Sequence, residues 1–127
     1  MTSTLYFPIA GCGGTSRAAA SLFDRRWLIV DPSGVWLDQD ACAKLADIQV
    51  DAQLGYLVMR AQGMLRLDIP LDVIEDDDSV RAKASIGGQQ VDVVDEGELA
   101  ATWVSNFLGR PCRLMKLDPA GTATLWR

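Results

Sequence analysis

Phe23-Asp24-Arg25-Arg26-Trp27-Leu28-Ile29-Val30-Asp31 sets two adjacent arginines beside an acid, directly ahead of the most apolar strand-like run in the chain. Side chains of a β-strand alternate between two faces. In extended form Arg25, Trp27 and Ile29 therefore share one face, and Asp24, Arg26, Leu28 and Val30 share the other. Apolar residues fall on both faces, which predicts a central strand covered on both sides at its far end, with the charged end emerging at a rim. An arginine fixed at such a rim is a fork for an anion. Its plainer role is an ion pair within the chain, for which Asp24 is the adjacent carboxylate.

Downstream of this run, Asp31-Pro32-Ser33-Gly34 has the residues of a tight turn, with proline second and glycine fourth, and Val35-Trp36-Leu37 returns as a hairpin partner. Alternation predicts a half-buried strand from Leu45 to Ala52. Tyr56 to Arg60 and Met64 to Pro70 flank Ala61-Gln62-Gly63, a short link with glycine last, and so read as a hairpin. Arg66 and Asp68 alternate with Leu65, Leu67 and Ile69, leaving one face wet. The acidic run Glu75-Asp76-Asp77-Asp78 lacks the ligand spacing of a calcium loop and reads as solvated. Strands follow from Val80 to Ser85 and from Gln89 to Asp95 around the turn Gly87-Gly88.

One helix is expected, about Glu96–Leu108. Asp95 and Glu98 have capping-box spacing, Leu99, Trp103 and Phe107 recur every four residues, and Ala100, Val104 and Leu108 widen the stripe. Gly109 provides the left-handed cap and Pro111 bars continuation. Cys112 to Leu117 alternates as a last strand, and Asp118 to Gly121 turns the chain again. About seven to nine short strands with one late helix make the chain mainly β, an antiparallel barrel or curled sheet with the helix packed on it.

At the other end, Thr4 to Ala10 is strand-like, but Pro8 removes a backbone donor and confines it to an edge or bulge. Gly11-Cys12-Gly13-Gly14-Thr15-Ser16 is a glycine-rich turn. With Asp31 following about 20 residues on, it imitates a dinucleotide fingerprint. Ser16 in the third glycine position, the interrupting Pro8 and the short stretch Arg17 to Phe23 all oppose that reading.

At 127 residues, with 49% hydrophobic and 23% charged residues, the chain is expected to fold as one domain, residues 1–127. A net charge of -5 opposes a nucleic-acid or anionic-membrane partner. Histidine is absent, which removes the commonest general base and most zinc chemistry. Cys12, Cys42 and Cys112 are odd in number and widely spaced, so they are expected to be reduced thiols, in neither a disulfide framework nor a metal site. No apolar run approaches a membrane span and no basic leader precedes residue 5, so a cytoplasmic location is expected.

From about Leu5 to Asp118 the ordered residues resemble the N-terminal β-barrel domain that precedes the MOSC domain in molybdenum-cofactor sulfurase C-terminal-like proteins and amidoxime-reducing components. Tyr6-Phe7-Pro8-Ile9-Ala10-Gly11-Cys12 is similar to the family's Tyr-x-Pro-Ile-Lys-Ser-Cys. Ser21-Leu22-Phe23-Asp24-Arg25-Arg26-Trp27 resembles Gly-Leu-x-x-Asp-Arg-x-Trp, and Leu37-Asp38-Gln39-Asp40 resembles Leu-Thr-Gln-Arg. The most specific match is Trp103-Val104-Ser105-Asn106-Phe107-Leu108-Gly109-Arg110-Pro111, similar to Trp-Leu-Ser-x-Phe-Leu-Gly-Arg-Pro. The resemblance implies that Arg25 contacts the phosphate of molybdopterin, with Gly11 and Cys12 as further candidate cofactor-binding residues. Ala10 and Gly11 stand where the family has lysine and serine, and Asp40 stands where it has arginine.

The expectation is a stand-alone, non-catalytic barrel that binds a partner protein or small ligand, with no catalytic residue, no metal site and no cofactor of its own. The alternative is an accessory domain of a molybdenum-cofactor enzyme, partnered by a MOSC-domain chain and helping hold the molybdopterin phosphate. A dinucleotide-binding protein is the third reading.

Overall fold

The computed structural model describes residues 5–70 and 81–117. The acidic run at Glu75 to Asp78 and the turn at Asp118 to Gly121 lie outside them. Among the described residues, seven strands form two antiparallel sheets. One sheet orders β1 (Trp27–Val30), β7 (Arg113–Leu117), β6 (Gln89–Asp95) and β5 (Arg81–Ile86); the other orders β2 (Gln49–Gln53), β3 (Tyr56–Arg60) and β4 (Leu67–Pro70). The one α-helix among the described residues, α1 (Glu98–Leu108), lies in the C-terminal half. The chain is mainly β with a curled sheet, as its alternating runs predict. No helix among the described residues is long and apolar enough to cross a membrane.

Although β1 ends the strand order of its sheet, its outer edge is occupied. Trp27 donates its amide to the Pro8 carbonyl, Ala10 donates to Trp27, and Leu37 donates to Ile29. Pro8 lacks the donor of a full strand but supplies an acceptor, so residues 5–10 contribute bridges at Tyr6 and Ile9 and no strand. The returning segment after Asp31 also reaches β5: Trp36 donates to Ser85, and Ser85 donates to Gly34. This segment bridges β1 at Val30 and β5 at Ser85 through isolated pairs, and the four-stranded sheet is curled.

Every residue of β1 is buried. Leu28 and Val30 join Ala84, Ile86, Val93, Met115 and Leu117 in the smaller core, while Trp27 and Ile29 join the larger one with Leu57, Met59, Trp103 and Leu114. The strand is thus central to two cores. Burying side chains of this size contributes about 1.5–3 kcal/mol each before chain entropy is counted, so β1 organises the fold from both faces.

Several expectations need correction. Leu45, Ala46 and Asp47 lie in a 3-10 helix, Ala43–Asp47, and the strand begins only at Gln49. Leu45 is fully buried there, which a single inward turn achieves as well as a strand does. The hairpin after Arg60 has a longer link, because β4 begins at Leu67. The capping box does not form: the N-cap is Gly97, Asp95 accepts from the Gly97 amide at 2.8 Å, and Glu98 pairs with Arg113 at 2.9 Å. Arg113 draws both acids to itself, since it also donates to Asp95. Leu99 is exposed, and the buried face of α1 is Ala100, Ala101, Trp103, Val104 and Leu108.

The dinucleotide reading also fails. Every named strand pair is antiparallel; the parallel contacts are isolated bridges at Ile9–Trp27 and Val35–Ser85. The glycines of the first turn make room for packing: a Cβ on Gly13 would lie 2.8 Å from the Ile48 carbonyl oxygen, and one on Gly14 would lie 2.8 Å from the Phe7 ring. Gly13 also donates its amide to Ile48 at 2.8 Å. A backbone pinned in this way has no cradle to offer a pyrophosphate.

Candidate functional site

Two residues ahead of β1 the chain leaves extended geometry. Arg25 has φ +54°, the left-handed region, immediately after the 3-10 helix Ala18–Phe23. A non-glycine residue there costs about 1–2 kcal/mol, so the surroundings must hold it. Two backbone contacts do so: Arg25 donates its amide to the Phe7 carbonyl at 2.7 Å, and Phe7 donates its own to Asp24 Oδ1 at 2.8 Å. Arg25 therefore does not share a strand face with Trp27 and Ile29, as simple alternation predicts. Asp24 is engaged with backbone instead of serving as the plain ion-pair partner.

The turn aims this part of the chain at a concavity of about 380 Å³. All three residues singled out from the sequence, Arg25, Gly11 and Cys12, line it, together with Phe7, Ala10 and Trp36. Among the described residues, Asp38 and Gln39 also line it. Gln39 donates its side-chain amide to the Gly11 carbonyl at 2.8 Å, and Trp36 donates its indole N–H to the Ala10 carbonyl at 3.3 Å. These bonds tie the segment after β1 to the first turn, so residues 26 to 28 positions apart meet at one wall. The volume is that of a small-molecule site.

Its electrostatics are mixed. Arg25 brings a guanidinium, and Asp38 brings a carboxylate whose Oδ1 accepts the Ala41 amide at 2.9 Å. Asp40, exposed in the following turn, does not line the concavity. Cys12 is 1% exposed, and burial pushes its thiol far above the ordinary range, with the nearby Cys42 thiol adding to the rise. Cys12 packs within the larger core, and burial of this kind disfavours the thiolate. Cys112 is likewise raised by burial and by Cys42, against the opposing influence of the Ser105 hydroxyl and Arg110. All three thiols are free, as their spacing predicts.

A molybdopterin phosphate fits this lining poorly. Ala10 and Gly11 offer no cationic or hydroxyl side chain, and Asp38, which also lines the concavity, opposes a dianion. The sequence singled out the arginine and the first turn but not Phe7, Trp36, Asp38 or Gln39 as lining residues. The segment Leu37-Asp38-Gln39-Asp40 carried that signal, since it is one of the stretches that resemble the family.

A second groove, about 640 Å³, runs past Lys44, Asp47, Arg60 and Phe107. Its lysine is committed: Lys44 donates to the Phe107 carbonyl at 2.8 Å and lies 4.7 Å from the centre of the Phe107 ring. It thereby caps the C-terminal end of α1.

Comparison with known proteins agrees with this architecture. The profile of the MOSC N-terminal beta barrel domain matches residues 1–111. The chain is 32% identical over 128 residues to the molybdenum cofactor sulfurase of Danio rerio, and 30% identical over 124 residues to that of Homo sapiens. These alignments cover 94% and 91% of this chain but only 15% and 14% of those proteins. A Bordetella bronchiseptica protein of known solution structure is 56% identical and superimposes with a TM-score of 0.83, over 94% of this chain and 92% of that one.

Proposed function

The chain belongs to the family of MOSC N-terminal β-barrel domains, and from that premise we propose that it is a non-catalytic binding module whose ligand, a small molecule, sits in the concavity beside Arg25. The observation that carries this reading is the convergence of Arg25, Gly11, Cys12, Asp38 and Gln39 on one opening of ligand size. The held left-handed backbone at Arg25 supports it, because strain of that kind is retained where a side chain must be presented. The neutral, buried thiol of Cys12 and the lack of histidine favour binding over catalysis.

A second reading is favoured by the sulfurase relatives, of which this chain matches a minor part. In it the domain serves a molybdenum-cofactor enzyme, with a MOSC-domain chain as its partner. The mixed charge of the concavity weighs against a phosphate contact in that arrangement.

Native mass spectrometry of the protein purified from its own host separates the two. A bound small molecule that is lost in Arg25→Gln is the expected result. A bound pterin or a co-purifying MOSC chain, unaffected by that substitution, replaces the first reading with the second.

A further inference from the structure

Phe7 lines the concavity, and both its backbone and its ring are held by residues behind that wall. Its neighbours are anchored first. Tyr6 and Thr15 exchange amide-to-carbonyl bonds at 2.8 and 2.9 Å, and the Pro8 carbonyl accepts from Trp27 at 2.9 Å. Between these anchors the Phe7 amide donates to Asp24 Oδ1 at 2.8 Å, and the Phe7 carbonyl accepts the Arg25 amide at 2.7 Å. The ring is placed separately, by Gly14. A Cβ on Gly14 would lie 2.8 Å from Cε1 and 2.9 Å from Cδ1 of the ring, and 2.8 Å from the Tyr6 carbonyl oxygen. Such distances are well inside van der Waals contact, so the ring fills the space that any side chain at position 14 needs. Gly14 does not adopt a left-handed backbone, so glycine serves there for space and not for conformation.

Resting on the reading of this concavity as a ligand site, we propose that Phe7 is its specificity-determining wall, that Asp24 and Gly14 position it, and that the ligand is a small molecule with a flat apolar ring. Asp24 acts through the backbone and Gly14 through the ring, and neither is among the described lining residues. A ring fixed in this way offers a flat face, on which a second ring stacks with a gain beyond that of buried area alone. A puckered ring of the same size loses that gain. Selection by shape is independent of the charges that line the opening.

Nuclear magnetic resonance titration of the full chain with benzyl alcohol and cyclohexylmethanol, one skeleton with a flat and a puckered ring, tests this. Benzyl alcohol is expected to shift the Gly11, Cys12 and Gln39 signals and to bind roughly threefold to tenfold more tightly than cyclohexylmethanol. Phe7→Leu is expected to abolish the preference. Gly14→Ala and Asp24→Ala are each expected to weaken benzyl alcohol, while Asp24→Asn, which keeps an acceptor for the Phe7 amide, restores it. Hydrogen exchange of the Phe7 amide is expected to quicken in Asp24→Ala and not in Asp24→Asn. Equal or tighter binding of cyclohexylmethanol, or a Phe7→Leu variant that still prefers benzyl alcohol, overturns the wall while leaving the concavity a ligand site. Unchanged exchange and unchanged binding in Asp24→Ala overturn its positioning role. Signals that move with neither alcohol overturn the inference, and the molecule retained on purification reports on the ligand site separately.

Discussion

Trp27 and Arg25 stand two residues apart and belong to different regimes. From Trp27 to Val30 the chain is extended, flanked on both edges and buried in two cores. At Arg25 it is left-handed, exposed and open to a concavity. In the first region hydrophobic burial and sheet hydrogen bonding agree with local preference, so many interactions fix each residue. In the second the backbone is held against its preference by two hydrogen bonds around Phe7. The contrast teaches that the interior is stabilised by its own packing, whereas the rim is held in place by it.

Breaking the interior produces the largest effects. Trp27→Ala removes a fully buried ring, its 2.9 Å hydrogen bond to Glu96 and its contact with the Lys116 ammonium, 5.2 Å from the ring centre. A loss of about 3–5 kcal/mol is expected in urea unfolding. Trp103→Ala, on the helix, opens the same core and frees the Leu65 carbonyl, which now accepts the indole N–H at 2.7 Å. About 2–4 kcal/mol is expected there, since water reaches that carbonyl more readily. Equal and small losses from both would mean that β1 does not join the two cores.

The same contrast explains what could be read from the residues alone. Runs such as Trp27 to Val30 announce burial on both faces through composition, and Asp31, Gly34, Gly87, Gly88 and Gly109 mark turns through their own backbone preferences. Those signals are local. The left-handed turn at Arg25 is not, because arginine has no preference for that conformation and the cause lies at Phe7, 18 positions earlier. Asp38 and Trp36 reach the concavity only because the segment after β1 is bonded to β5 at Ser85. The capping box fails to form for a related reason: Arg113, 15 positions from Glu98, outcompetes the local arrangement. Residues with long-range partners defeat local patterns.

Arg25→Gly sharpens the comparison at the rim. Glycine accepts φ +54° without steric cost, and the strain it relieves offsets the side-chain interactions that are lost, so stability is expected to stay within about 1 kcal/mol of the unaltered protein while ligand binding is lost. A marked loss of stability would make Arg25 a structural pair-former. Nearby, Arg17 places its Nε within 2.9 and 3.1 Å of the two Asp51 oxygens, and the Thr15 hydroxyl supports one of them at 3.1 Å. Burial pushes the Asp51 carboxyl up, but the bonds from Arg17, the Ala52 amide and Thr15 outweigh it and hold the group below its ordinary value. A group depressed in the folded state stabilises above its unfolded pKa of about 4 and loses that contribution as pH falls through its lower folded value. Melting temperatures compared at pH 5 and pH 3 should drop less in Asp51→Asn than in the unaltered protein. An equal drop would remove Asp51 as a source of the acid sensitivity.

The smallest effect is expected at Leu99, and it tests whether spacing or burial governs the helix. Leu99 stands four residues before Trp103, in the position that an unbroken apolar stripe assigns to the core, yet it is 73% exposed while Trp103 is 7% exposed. The start of α1 accounts for this. Gly97, at φ +104°, sets the entry, and Arg113 binds both Asp95 and Glu98, which orients the first turn toward β7 through its charged side. Ala100 and Ala101 then meet the core in place of Leu99. Leu99→Ala removes little buried surface and introduces the best helix former, so a change within about 0.5 kcal/mol is expected by urea unfolding. A loss of about 2 kcal/mol or more, the size typical of a core cavity, would place Leu99 under cover and restore the stripe as the packed face. The interior would then extend one turn further toward the charged start of the helix than the burial of Ala100 and Ala101 requires.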